Sequence, residues 1–388
     1  MMMRDKNILF LTHAYTSFQK NPIEILASHF HKVYVLARYK PVAEISRILP
    51  INFLKHHRKD FVFQLQDKPE NVTVIPVPLY YLPTKQGYIK LGEQHFRQAL
   101  KIIQQNNITF DIIHSFFIWT AGYVGARLKE HYHKKFLITS HRNDADFFRE
   151  IQSGNPQYYW AIRQADAIIR VNKHSTTSLK RYNDHVFSLP NGFISNLFYK
   201  KDKDECRKKL QLPLQRKILL TVGFLNQHKG HHYLIDSVKE IIQKEKNLLC
   251  IIVGSGEYRK KLQRQIQSLH LQEHVKLVGG KLHHEIPDWI NACDLFVLPT
   301  QSEGNPTVMF EALGCGKPFI GTNVGGIPEI ITSDDYGFIV EKGNVKDLTE
   351  KLLLALNKTW DEQKIWEYGQ SFRWENIAQK IVELYQEI

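Results

Sequence analysis

The chain has 388 residues, 43% of them hydrophobic, which suits two or three globular domains with buried cores. No apolar run approaches the roughly 20 residues that a membrane-spanning helix needs. The apolar run at 8–11 is too short for a signal peptide, so we expect neither a membrane-spanning nor a secreted protein.

The net charge of +13 is concentrated in the first half of the chain. Residues 1–195 contain 26 Lys and Arg against 14 Asp and Glu, whereas the remainder contains 26 against 25. Concentrated positive charge indicates an anionic partner for the first half. Nucleic acid is one candidate, but the sequence has no recognised nucleic-acid-binding motif. We therefore expect no nucleic acid and favour an anionic membrane surface as the partner.

The cysteines indicate a reducing compartment. They are far apart and form no C-x2-C pair: Cys206, Cys250, Cys293 and Cys315. This pattern predicts free thiols, not a disulfide framework or a metal site. We therefore expect a cytoplasmic protein, peripheral at the inner face of the cell membrane if its basic half binds lipid.

Short apolar runs alternate with helix-like segments through the first half. Strands are predicted at 8–11, 33–36, 72–77, 111–114, 136–139, 167–171 and 186–189. Helices are predicted at 22–30 and around 122–131. Such alternation is typical of a parallel sheet with helices on both faces.

Residues 45–63 mix apolar side chains with a basic cluster. This composition suits a segment that lies in a membrane interface. An ordinary surface hairpin or helix, with its apolar side in the core, explains the composition equally well.

The second half repeats the alternation after a charged stretch at 195–215, which we interpret as an interdomain linker. Strands are predicted at 217–222, 247–253, 275–278, 295–298, 318–321 and 337–340. The last residues, 372–385, predict an amphipathic helix.

Two glutamates, Glu303 and Glu311, flank a predicted helix start directly after the strand at 295–298. Asn305 is a favoured N-cap, and Pro306 is tolerated at the first helical position. The amides that follow, from Thr307 onwards, can bind phosphate. Carboxylates accept hydrogen bonds from sugar hydroxyls. Two solvated charges on a surface helix are the alternative, but ligands bind at the carboxyl ends of parallel strands.

Two further loops follow predicted strands. Lys229 lies between glycines, including Gly223, and can reach a diphosphate as a flexible charge, although a solvated lysine is the alternative. Gly254 and Gly256 lack the third glycine of a dinucleotide fingerprint, because Arg259 takes its place.

The segment SEGNPTVMFEALGCGKPFIGTNVGGIPEII resembles the retaining GT-B glycosyltransferases of family 4, also called glycosyl transferases group 1. The resemblance covers most of the chain and implies an α/β fold with two Rossmann-like domains whose parallel sheets face each other across a cleft. It implies an acceptor-binding domain at 1–195, a nucleotide-sugar-binding domain at 196–370, and a C-terminal helix at 371–388 that crosses back to the first domain.

The resemblance also assigns roles to residues. It implies that Glu303 contacts the donor sugar, that Glu311 contacts the ribose, and that Lys229 meets the diphosphate. Further donor-binding positions are implied at Gly223, Gly254, Gly256, Lys281, Leu282, Asn305, Pro306, Thr307 and Val308. The chain departs from the family at Phe224, where an arginine is usual.

In the first half, His141 and Asp144 match a His-Gly-x-Asp-like element in which the histidine lies over the donor sugar. We therefore predict His141, Glu303 and Lys229 as catalytic residues. His13, His114 and Asp144 are acceptor-side candidates. The loop at 12–17 lacks the glycines that the family carries there.

The resemblance implies a retaining, metal-independent hexosyltransferase without a cofactor. Its donor is a nucleotide sugar, UDP-linked in preference to GDP-linked, and its acceptor is a lipid-linked or glycan molecule of cell-surface polysaccharide synthesis. Two alternatives stay open: a GT-B enzyme of another type, such as a nucleotide-sugar epimerase or a sugar-phosphate synthase, and a non-enzymatic basic binding module.

Overall fold

The computed structural model describes residues 3–49, 54, 57–81 and 84–388. In this part of the chain the strands form two parallel sheets, one of seven strands and one of six. The chain divides into two units. The first comprises Met1–Arg142, Asp146–Leu189 and Trp374–Ile388, and the second comprises Asn143–Ala145 and Pro190–Arg373.

The sheet of the first unit has the strand order β3-β2-β1-β4-β5-β6-β7. Its strands are β1 Met3–Thr12, β2 Phe30–Tyr39, β3 Val72–Pro78, β4 Ile112–Phe116, β5 Lys135–Ser140, β6 Ala167–Arg170 and β7 Val186–Ser188. The helices are α1 Ser17–Ala27, α2 Lys59–Val62, α3 Lys85–Gln105, α4 Tyr123–Tyr132, α5 Asp144–Ile151, α6 Pro156–Gln164 and α7 Thr176–Lys180. A 3-10 turn covers Pro41–Arg47, and a short π-type turn covers Ile118–Gly122.

The last helix of the chain, α16 (Trp374–Glu387), belongs to the first unit. The Tyr385 hydroxyl lies 2.6 Å from Nδ1 of the buried His114 on β4. The Tyr385 ring also packs edge-on against Phe30, at 5.7 Å between centroids. This polar contact and the apolar packing around it fix the end of the chain to the first sheet.

The sheet of the second unit has the strand order β10-β9-β8-β11-β12-β13. Its strands are β8 Lys217–Val222, β9 Leu248–Val253, β10 Val275–Gly279, β11 Leu295–Leu298, β12 Phe319–Thr322 and β13 Gly337–Val340. The helices are α8 Lys203–Lys209, α9 His231–Ile241, α10 Arg259–Ser268, α11 Ile286–Ala292, α12 Thr307–Gly314, α13 Ile327–Ile330, α14 Val345–Asn357 and α15 Glu362–Gln370.

Both faces of this second sheet are buried. On β9, Leu249 and Ile251 enter one apolar core, whereas Cys250 and Ile252 enter the core on the opposite face. Strands buried on both sides need continuous apolar sequence, which explains why β9 reads as an unbroken apolar run. Charged groups are thereby restricted to the edges of the sheet.

The structure confirms the predicted α/β fold with two Rossmann-like parallel sheets, and each predicted strand is present. The linker predicted at 195–215 is wrong, because these residues are packed into the second unit. Asp202 caps helix α8, and the buried Arg207 donates to the Asp294 carboxylate at 2.8 Å. One of the charges that suggested a solvated linker, Arg207, is therefore buried and paired with a carboxylate elsewhere in the second unit.

The four cysteines are buried and free, as predicted. Among the helices of the described residues, none is long and apolar enough to cross a membrane.

Candidate active site

The loops at the carboxyl ends of four neighbouring strands carry the predicted donor-binding residues of the second unit. Lys229 follows β8, Gly254 follows β9, Lys281 follows β10 and Glu303 follows β11. Because the strands are parallel, these loops emerge at the same edge of the sheet. This edge is where open α/β sheets bind ligands.

Lys229 and Glu303, both predicted as catalytic, form an ion pair. The Lys229 ammonium donates to Oε1 of Glu303 at 2.6 Å, and the buried Thr300 hydroxyl donates to the same oxygen at 3.1 Å. Glu303 is 8% exposed. The pair therefore holds a cation and a carboxylate together in a partly desolvated site, where charge–charge interactions are stronger than in bulk water.

The Lys229 loop depends on two glycines. Gly230 has φ of +69°, and a Cβ there would lie 1.8 Å from the Pro299 carbonyl oxygen. A Cβ on Gly254 would lie 1.9 Å from the Gly223 carbonyl oxygen. Only glycine permits both approaches, so these residues have a packing role whether or not they also bind a ligand.

The predicted N-cap at Asn305 is wrong. Pro306 is the N-cap of helix α12, and it makes no side-chain cap hydrogen bond. Asn305 instead accepts from the Asn191 backbone amide at 2.9 Å, while the Asn191 side chain donates to the Asn305 carbonyl at 2.7 Å. The amides of Thr307 and Val308 lie in the first turn, which has no intrahelical acceptors.

Glu311 has a partner that the sequence did not indicate. Nε2 of His283 lies 3.0 Å from Oε1 of Glu311, and the His283 ring packs 5.2 Å from the Phe198 ring. Burial alone would lower the pKa of His283, but the hydrogen bond and the charge of Glu311 outweigh it and raise that pKa. His283 is the residue directly after the predicted donor-binding positions Lys281 and Leu282.

The remaining donor-side positions are more exposed. Leu282 is 64% exposed, and the Lys281 ammonium lies 5.4 Å from the centre of the Trp289 ring. Phe224, which stands where the family has arginine, is 70% exposed. Gly256 packs against the Leu225 backbone, where a Cβ would lie 2.3 Å from the carbonyl oxygen.

His141, in the first unit, is surrounded by aromatic rings. The rings of Phe18, Phe116 and Phe117 lie edge-on to it, at 5.0, 4.9 and 6.0 Å. Arg170, which is buried, donates to the carbonyls of Ser140 at 2.8 Å and Arg142 at 2.7 Å. Arg170 therefore fixes the backbone on both sides of His141, a role that the sequence did not indicate.

The acceptor-side candidates lie in different surroundings. His13 stacks on Phe117 at 4.3 Å, and burial lowers its pKa well below the ordinary value. Burial also lowers the pKa of His114, whose ring nitrogens contact Thr139 and Tyr385. Asp144 begins α5 and is grouped with the second unit. The contacts of His114 favour a packing role.

Two family models match the chain in succession. Residues 23–194 match the model described as Glycosyltransferase Family 4, and residues 202–372 match Glycosyl transferases group 1. Together they cover most of both units.

The chain is also similar to individual proteins in sequence and in fold. The chain is 28% identical over 376 residues to the putative teichuronic acid biosynthesis glycosyltransferase TuaC of Bacillus subtilis, covering 92% of this chain and 90% of that protein. Among solved structures, sucrose-phosphate synthase from Thermosynechococcus elongatus has a TM-score of 0.77 and 20% identity, with 98% of each chain covered. HepE of Anabaena in complex with UDP-glucose has a TM-score of 0.72 and 22% identity, covering 99% of this chain and 100% of that chain.

The His283–Glu311 pair predicts a pH-dependent contribution to stability. Because the pKa of His283 is raised by folding, the pair stabilises the fold fully below the unfolded pKa and loses this contribution as pH rises through the folded pKa. We expect Glu311→Gln to lower the melting temperature by a few degrees at about pH 5.5 and by less at about pH 8.5. Differential scanning fluorimetry at both pH values measures this.

The exposed neighbour His284 provides the matched control. We expect His284→Gln to shift the melting temperature little at either pH. An equal loss of stability in Glu311→Gln at both pH values would contradict the assigned protonation of His283.

Proposed function

The chain belongs to the glycosyltransferases of group 1 and family 4, and we propose that it is a retaining, metal-independent hexosyltransferase. Its donor is a nucleotide sugar, UDP-linked in preference to GDP-linked. Its acceptor is a lipid-linked or glycan molecule of cell-surface polysaccharide biosynthesis.

The observation that carries this proposal is the arrangement of three side chains in the second unit. Lys229 and Glu303 are paired at 2.6 Å, and the buried Glu311 lies on the helix that begins four residues after Glu303. A cation, two carboxylates and the free amides of a helix start suit a ligand that contains hydroxyls and a diphosphate.

The proteins of similar fold and sequence support the donor and acceptor classes. HepE, which has a similar fold, was solved in complex with UDP-glucose. TuaC, the relative that matches over nearly its full length, is named for teichuronic acid biosynthesis. These names support UDP-linked sugars and a cell-surface acceptor as the first substrates to test.

The proposed reaction breaks the bond between the anomeric carbon and the diphosphate oxygen. Lys229 and the amides of Thr307 and Val308 stabilise the negative charge that develops on the departing diphosphate. Glu303 accepts hydrogen bonds from the sugar. The acceptor hydroxyl attacks from the face that the diphosphate leaves, and its proton passes to the diphosphate, so that configuration is retained. His141 stays the predicted catalytic group of the first unit.

A membrane contact of the first unit is part of the proposal. The 3-10 turn Pro41–Arg47 and the residues after it expose apolar side chains, with Ile48 at 86% and Leu49 at 50%. Lys59, on α2, is exposed. Exposed apolar groups beside basic ones suit an anionic lipid surface. Of the segment predicted for this role, residues 50–53, 55 and 56 lie outside the described residues.

Nucleotide binding is the first test of the donor site. Specific binding at about 100 times Kd adds about 2.7 kcal/mol to the stability of the folded state. We expect the melting temperature to rise with UDP or a UDP-sugar, and we expect Glu311→Ala to abolish that rise. Glu240→Ala, on an exposed part of α9, is the control that keeps the full shift. If no nucleotide raises the melting temperature of the wild type, the proposed donor site is wrong.

The configuration of the product tests the proposed mechanism. With a UDP-sugar and an acceptor that supports turnover, we expect the new glycosidic bond to have the anomeric configuration of the donor. Proton NMR of the isolated product measures it from the anomeric coupling constant. An inverted product would exclude retention, and conversion of the nucleotide sugar without any acceptor would favour an epimerase.

Flotation with liposomes tests the membrane contact. We expect the chain to float with phosphatidylglycerol-containing vesicles and not with pure phosphatidylcholine. The double change Ile48→Ser and Leu49→Ser should reduce flotation. Adding Lys59→Glu should reduce it further, because this change weakens the attraction to the anionic surface by about 1 kcal/mol or more. Lys101→Glu, an exposed lysine on α3, serves as the control. Undiminished flotation of the triple variant would rule out this surface as the docking site.

A further inference from the structure

Some carboxylates of the second unit have hydrogen bonds on both oxygens. The buried Asp288 accepts from Lys201 on Oδ1 at 2.7 Å and from Lys209 on Oδ2 at 2.6 Å. Asp294 accepts from a lysine ammonium on Oδ1 at 3.0 Å and from Arg207 on Oδ2 at 2.8 Å. Such complete pairing is expected of carboxylates that stabilise a fold.

The two glutamates of the motif are also buried, but each has only one hydrogen-bonded oxygen. Oε1 of Glu303 accepts from Lys229 and Thr300, and Oε1 of Glu311 lies 3.0 Å from Nε2 of His283. Neither Oε2 atom has a hydrogen-bond partner among the described residues, and neither is one of the fully enclosed polar atoms. Each glutamate therefore keeps one oxygen open to its surroundings.

His283 is held in place through its backbone and through its ring. It begins a 3-10 turn, His283–Glu285, in which the Leu282 amide donates to Oε2 of Glu285 at 2.7 Å. Its ring lies 5.2 Å from the ring of the buried Phe198, tilted by 55°. The turn and the aromatic contact together direct Nε2 of His283 at Oε1 of Glu311.

The orientation of the Glu311 carboxylate depends on this one contact. Among the described residues, His283 is the only group that forms an ion pair with Glu311. The last torsion of a glutamate has no sharply preferred value, so the side chain by itself does not select one orientation of its oxygens. The hydrogen bond on Oε1 selects the orientation in which Oε2 stays open.

We propose that His283 is a positioning residue that holds Oε1 of Glu311, directs Oε2 to the ribose hydroxyls of the nucleotide, and thereby favours ribonucleotides over deoxyribonucleotides. This assignment rests on the proposed function, because it takes a nucleotide sugar as the ligand of Glu311. A carboxylate oxygen only accepts hydrogen bonds, so it recognises a hydroxyl. A nucleotide without that hydroxyl leaves the oxygen unpaired, which is a strong basis for discrimination.

Isothermal titration calorimetry of the full chain with UDP and with 2′,3′-dideoxy-UDP tests the assignment. We expect UDP to bind the wild type more tightly than the dideoxy nucleotide. His283→Phe keeps a ring beside Phe198 and removes the donor to Glu311. It should weaken UDP binding about tenfold, the effect of one hydrogen bond to a charged group. It should leave binding of the dideoxy nucleotide unchanged, because that nucleotide has no ribose hydroxyl for Glu311 to accept from.

Three further variants complete the comparison. His283→Ala also removes the donor, without a larger ring that has to fit. His283→Gln supplies an amide donor in its place and should retain most of the UDP affinity. The exposed neighbour provides the matched control, since His284→Phe should leave the affinity for both nucleotides unchanged. The melting temperature of each variant shows that it is folded.

The outcomes separate this assignment from the proposed function. An equal loss of affinity for both nucleotides in His283→Phe and His283→Ala would overturn the assignment, because His283 would then only support the fold of the site. Unchanged UDP affinity in both variants would overturn it as well, and in either case the proposed function would stand. Absence of UDP binding by the wild type would overturn the proposed donor and the assignment together.

Discussion

Burial of the second sheet on both faces is the constraint on which the donor site depends. Cores pack against each face, so the strands themselves have to be apolar. Charged side chains are consequently placed at the ends of the strands, and the predicted donor-binding ones lie in the loops at the carboxyl edge. Lys229, Glu303 and His283 each lie in the segment that follows a different strand for this reason. The sheet therefore positions these three side chains, although none of them belongs to a strand.

The two glutamates of the motif are held by different cations. Glu303 is paired with Lys229, whereas Glu311 is paired with His283, whose pKa is raised by the hydrogen bond to Glu311 and by its charge. A ligand hydroxyl that reaches Glu311 has to share its oxygens with the imidazole. The histidine thus holds the carboxylate in place and also competes for it, and this competition is weaker when the imidazole is neutral.

In the first unit, the buried polar groups differ in whether they have hydrogen-bond partners. Arg170 is buried and hydrogen-bonded, because it donates to the backbone carbonyls beside His141 and to the Ser175 hydroxyl. Tyr158 and Trp119 are equally buried, and their polar atoms have no partner in the part of the chain that is described.

The sequence by itself determined the two parallel sheets, because apolar runs of strand length and the turns between them are local properties. It also determined the Glu303–Glu311 motif and the glycines beside it. The tertiary structure alone decided which residues the buried polar side chains contact. Asn305 looked like a helix cap but bonds Asn191, 114 positions away, and His114 contacts Tyr385, 271 positions away. No local pattern records such distant pairings, so the roles of Arg170 and His283 became visible only once the chain was folded.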